Sequence, residues 1–121
     1  MSQTIINIVL FVLLAWFLAS RFIPPKGVEM ITTAELKRRL KQSGVQYIDV
    51  RTPMEFRSFH LPGFRNIPLH ELAARARELS KEKEVVVICQ SGMRSQKASK
   101  LLKKMGFQHV TNVKGGLNAW Q

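Results

Sequence analysis

Hydrophobic positions along this chain change their spacing several times, and each change marks an element. From Thr4 to Ile23 they run almost without interruption, broken only by Thr4, Asn7, Ser20 and Arg21. As a helix that stretch is about 30 Å long, enough to cross a bilayer core. The run from Val85 to Ile88 is short and entirely β-branched, which predicts a strand buried on both faces of a sheet. From Ser95 onward the apolar residues fall at Ala98, Leu101, Leu102 and Met105, the spacing of a one-sided helix. Gly106 follows, where a left-handed helix stop is expected.

Weaker signals of the same kind fill the rest. Thr32-Thr33-Ala34-Glu35 has the form of a capping box opening a helix that ends near Gly44. Gln46 to Val50 predicts a strand, and Thr52-Pro53-Met54-Glu55 a second capping box with proline at the first helical position. His60 to Gly63 reads as a loop and Asn66-Ile67 as a short strand. Leu69, Leu72, Ala73, Ala76 and Leu79 mark another one-sided helix. A last strand is expected at His109 to Asn112, then a turn at Gly115-Gly116 and a short helix over Leu117 to Trp120. Such alternation predicts an α/β domain, a parallel sheet flanked by helices, with its site at the carboxyl ends of the strands. The chain thus divides into an anchor at 1–23, a linker at 24–30 that opens on the stiff Pro24-Pro25, and a domain at 31–121.

The first segment admits a signal peptide as well as a transmembrane helix. A signal peptide has a basic start and small residues before its cleavage site. Met-Ser-Gln-Thr carries no basic side chain, and Phe17 with Ala19 makes a poor site, so an uncleaved single-pass anchor is the preferred reading. Arg21 and Lys26 follow the span, and the positive-inside rule then places the domain in the cytoplasm. One cysteine, incapable of an internal disulfide, agrees with a reducing compartment. Net charge is +11, and all but one of the 19 basic residues lie from Pro24 onward. An anionic membrane surface would attract such a domain. Solvated helix faces explain the clusters at Lys37, Arg38, Arg39 and Lys41, and at Lys97, Lys100, Lys103 and Lys104, nearly as well. Nucleic acid is not an expected partner, because no basic motif is interleaved with aromatic residues.

The chemistry gathers between the buried strand and the helix after it. Cys89 stands there, followed by Gln90, Ser91, Gly92, Met93, Arg94 and Ser95. Unpartnered N–H groups at a helix start favour an anion. Keeping a thiol ionised at neutral pH takes about 2 kcal/mol of added stabilisation of the anion. The helix end, the loop amides and the Arg94 guanidinium are the expected sources. A lone cysteine after a strand is ordinarily inert packing; the glycine, the arginine and the helix start reverse that reading. His60 is expected to be structural, His70 and His109 incidental, and no ligand cluster suggests a metal or any other cofactor.

Together these motifs resemble the single-domain rhodanese family of sulfurtransferases over roughly Ile31 to Trp120. The matching pieces are Asp49-Val50-Arg51 with Glu55-Phe56, His60 to Gly63 with Asn66 to Pro68, and Cys89 to Ser95 with Ala98 and Leu101. Gly106-Phe107 and Gly115-Gly116 with Trp120 complete the set. Phe64 departs from the family, which usually has alanine there, and is expected to alter the mouth of the site. The resemblance implies a rhodanese-like fold and ping-pong sulfur transfer. Cys89 takes the outer sulfur of a small anionic donor such as thiosulfate, becomes a persulfide, and passes the sulfur to cyanide, a thiol or a protein acceptor. The N–H groups of Gln90, Ser91, Gly92, Met93 and Ser95 would hold the persulfide anion, and Arg94 would orient the donor. Asp49 and Arg51 would support the site from behind. Related cysteine phosphatases have five residues between Cys and Arg; the four here make a narrower cradle, and phosphatase activity is not expected. The alternative is a non-enzymatic, membrane-tethered binding or sulfur-sensing module.

Overall fold

The computed structural model describes residues 2–20 and 27–121. Arg21 and Lys26, on which the orientation argument rests, and the Pro24-Pro25 spacer lie outside the described residues. The apolar N-terminal stretch is one helix, α1 (Ser2–Ser20), with every residue exposed. It is long and apolar enough to cross a membrane, and a signal sequence meets the same test.

The rest folds around a five-stranded sheet, all of whose pairings are parallel, in the order β1-β5-β4-β2-β3. The strands are β1 (Val28–Ile31), β2 (Gln46–Asp49), β3 (Arg65–Asn66), β4 (Val85–Ile88) and β5 (Val110–Val113). Helix α2 (Thr33–Arg39) follows β1, α3 (Pro53–Ser58) follows β2, α4 (Leu69–Arg75) follows β3 and α5 (Met93–Lys104) follows β4. All four residues of β4 are buried, as its unbroken β-branched run requires of a central strand. One core joins Val85 and Val87 to Leu72 of α4 and to Ala98 and Leu102 of α5. Across the sheet, Val86 and Ile88 join Leu36 of α2, Leu61, Phe64 and Leu117.

Two helix starts form as their residues dictate. Thr32 caps α2, its hydroxyl accepting from the Glu35 N–H at 3.1 Å. Thr52 and Glu55 make a complete capping box on α3, with proline in its first turn.

Several boundaries differ from expectation. The linker does not extend to residue 30, because Val28–Ile31 pairs with Val110–Val113 as an edge strand. Helix α2 stops at Arg39, short of Gly44, since residues 41–44 are exposed and nothing packs on a further turn. Helix α4 yields at Ala76 to a single 3-10 turn, which still buries Ala76. Helix α5 begins at Met93, two residues before Ser95, because Gly92 takes the N-cap position at φ 102°. Phe64 lies in the core against Tyr47, ring centroids 5.3 Å apart, rather than at the mouth of the site.

Candidate active site

Cys89 follows β4 directly, at the carboxyl end of the sheet, and is fully buried. The Gly92 N–H donates to its Sγ at 3.0 Å, and Ser95 Oγ stands 3.4 Å away. Ser95 is held in turn by donating to the Gly92 carbonyl at 3.1 Å. Of the other loop residues, Gln90 is half-buried while Ser91 and Met93 are exposed.

The loop is braced from behind by the turn at Gly115 to Ala119. Leu117 N–H donates to the Cys89 carbonyl and Asn118 N–H to the Gln90 carbonyl, both at 2.9 Å. Gln90 Nε2 adds a bond to Asn118 Oδ1 at 2.7 Å. Gly116 makes this approach feasible: at φ 58°, a Cβ there would stand 2.3 Å from the Cys89 carbonyl oxygen.

Two arginines reach the site, and both are held by carboxylates. Arg51, 3% exposed, pairs with Asp49, its Nη2 lying 2.8 Å from Oδ2 and its Nε 3.1 Å from both carboxylate oxygens. It also donates to Gln90 Oε1 and to the carbonyls of Glu55 and Phe59. Arg51 therefore links Asp49 to the loop residue Gln90. Arg94, in the first turn of α5, makes a two-pronged pair with Glu55, at 2.6 and 3.0 Å. The sequence places a cation where a helix start disfavours one, and the carboxylate from α3 offsets it. Arg94 is thus a paired guanidinium. Glu55 was legible only as a helix cap; its partner lies 39 positions away, and no local pattern reports that.

The Arg94 guanidinium, followed by the Thr52 backbone N–H, pulls the Glu55 carboxyl down to about 2 from its ordinary 4.5. A depressed value means the pair stabilises the fold in full above about pH 4.5 and loses that contribution as pH falls toward 2. Replacing Arg94 with Ala should return the Glu55 titration, followed by carboxyl carbon NMR, toward the ordinary carboxylate range. An unchanged midpoint would assign the shift to the cap alone.

Beside the loop lies a cleft of about 460 Å³ lined by Arg51, Glu55, Ser58, Phe59, Gln90, Leu117 and Trp120. His60 stacks on Phe56 with centroids 3.8 Å apart, and its Nδ1 lies 2.7 Å from the Phe56 carbonyl, a structural arrangement. His70 is exposed beside Glu71. At the opposite end of the sheet, His109 meets Glu29 and Glu84, a grouping that sequence spacing does not signal. Glu84 there is already engaged by Arg39 and Thr111, each at 2.6 Å, which makes the group an ion-pair cluster.

The domain is a parallel α/β sheet with a buried thiol in a tight loop between a strand and a helix. The match to the Rhodanese-like domain family over residues 32–121 agrees, and the chain belongs to that family. Uncharacterized protein YqhL of Bacillus subtilis is 34% identical over 120 residues, covering 99% of this chain and 94% of its own, so the likeness runs through α1. Thiosulfate sulfurtransferase GlpE of Pseudomonas syringae is 36% identical over 87 residues, covering 72% of this chain and 82% of its own. A solved rhodanese-like domain protein from Staphylococcus aureus superposes with a TM-score of 0.72 at 33% identity, covering 77% of this chain and 91% of that one.

Proposed function

We propose that this protein is a sulfurtransferase that carries sulfane sulfur as a persulfide on Cys89. The observation that carries this reading is the Gly92 N–H aimed at Sγ from 3.0 Å, in the tight loop between β4 and α5. That arrangement stabilises a sulfur anion without a general base. In the loading step the Cys89 thiolate attacks the outer sulfur of a donor such as thiosulfate. The Sγ–S bond forms, the donor's S–S bond breaks, and sulfite leaves with the electron pair. In the second step a thiol, cyanide or protein acceptor takes the outer sulfur and the thiolate returns. With no second cysteine in the chain, the persulfide cannot resolve internally, so the acceptor is another molecule. Similarity to a thiosulfate sulfurtransferase supports the reaction class. We also place the protein in a membrane through α1, with the domain on the cytoplasmic side; the length of α1 and the basic residues after it support this.

Intact mass spectrometry of the full chain in detergent, after treatment with excess thiosulfate, tests the reading. A gain of one sulfur on Cys89, removed by cyanide, is the expected result. A folded protein that gains none would leave a tethered binding module in its place.

A further inference from the structure

The cleft beside the cysteine loop is poor in available positive charge, although the chain carries +11. A guanidinium offers five N–H donors. All five of Arg51 are committed: Nε to Asp49, Nη1 to the Glu55 carbonyl and Gln90 Oε1, and Nη2 to Asp49 and the Phe59 carbonyl. Arg94 gives two donors to Glu55, whose charge cancels its own. No lysine lines the cleft among the described residues. A dianion such as thiosulfate would therefore bring its sulfonate beside the Glu55 carboxylate while approaching a thiolate, with no cation in the cleft lining other than the committed Arg51.

The cleft offers apolar surface beside its polar groups. Phe59, Leu117 and Trp120 line it, and a volume of about 460 Å³ is in the range that holds organic ligands rather than a five-atom ion. Outside α1, the exposed large apolar side chains among the described residues are Met54, Phe59 and Met93. Met54 and Met93 adjoin the two partners of the Glu55–Arg94 pair, and Phe59 belongs to the cleft wall.

We propose that the cleft selects organic persulfides, R–S–SH with an apolar R, over thiosulfate, and that Glu55 is the residue that sets this preference. The inference rests on the sulfurtransferase reading and names its donor class. Cys89 thiolate attacks the outer sulfur; the new Sγ–S bond forms as the donor's S–S bond breaks. The thiolate R–S⁻ leaves with the electron pair and takes up the persulfide proton to become R–SH. No oxidant or reductant is consumed. Phe59 and Trp120 receive R, and the sulfur pair extends toward the loop that holds Sγ.

The test compares rates of Cys89 loading by benzyl persulfide and by thiosulfate in the full chain, at physiological salt so that long-range attraction is screened. Glu55→Gln keeps the side-chain acceptor that caps α3 but removes the charge. The expected result is a rise of about tenfold in the thiosulfate-to-benzyl ratio of kcat/KM, the size of one charge interaction of about 1.4 kcal/mol. Phe59→Ser, an exposed position, should raise the same ratio from the other side, by slowing benzyl persulfide. Ratios that stay at the wild-type value in both variants would overturn the proposal. Loading by neither donor would instead overturn the sulfurtransferase reading itself. A cysteine-persulfide peptide as a third donor separates the sources: faster loading than with benzyl persulfide points to a protein cysteine, slower loading to a small thiol, and either sustains the class.

Discussion

Cys89→Ser is expected to abolish sulfur loading, lowering transfer to any acceptor by at least about a thousandfold, the scale on which a lost nucleophile acts. A serine hydroxyl is too weakly acidic to ionise in this cradle at neutral pH, and the chain holds no other thiol to take over. The fold should persist. A serine oxygen at this position inherits the Gly92 N–H donor and the neighbouring Ser95 hydroxyl, so the buried polar atom is not orphaned. Stability should change by only about 1 kcal/mol, the ordinary size for a point substitution. Mass spectrometry and urea denaturation of the same preparation separate the two expectations. Retained loading in a folded Cys89→Ser protein would remove the cysteine from the mechanism.

Gly116→Ala should damage both stability and loading. Its Cβ would stand 2.3 Å from the Cys89 carbonyl oxygen and 2.8 Å from that of Gln90. These are backbone atoms of the loop, so no flexible side chain can swing aside. Either the closing turn or the cysteine loop must shift. Overpacking of this kind, added to the left-handed backbone at φ 58°, costs roughly 2–5 kcal/mol. For a domain whose total stability is on the order of 5–15 kcal/mol, that is a large share. Gly63→Ala is the matched comparison: its φ is 85°, but an added Cβ meets nothing within 4 Å. It should cost about 1 kcal/mol and leave the rate of loading near the wild-type value. Equal effects of the two substitutions, read by thermal melts and loading rates, would show that the turn does not brace the loop.

What could be read in advance was local. Val85–Ile88, Gly92 and the spacing of Ala98, Leu101 and Leu102 lie within 18 residues, and the strand–loop–helix they predict is present. Both capping threonines were visible for the same reason. The edge strand β1 was hidden because four residues beside a proline-rich spacer show no period of their own; it exists through its pairing with β5. The site partly escaped for a related cause. Glu55 already had a full explanation as the end of a capping box, and that concealed its bond to Arg94. Gly115-Gly116 announced a turn, but only the fold brings that turn against Cys89.

The register of the sheet has a further consequence. Val28 enters the domain level with Val110 and Val85, at the end where the parallel strands begin. Cys89 leaves it where they finish, roughly 13 Å away for four residues of extended chain. The stem and the reactive atom occupy opposite poles. In the sulfurtransferase proposed above, the chain arriving from α1 would therefore join the domain at the pole away from the thiol.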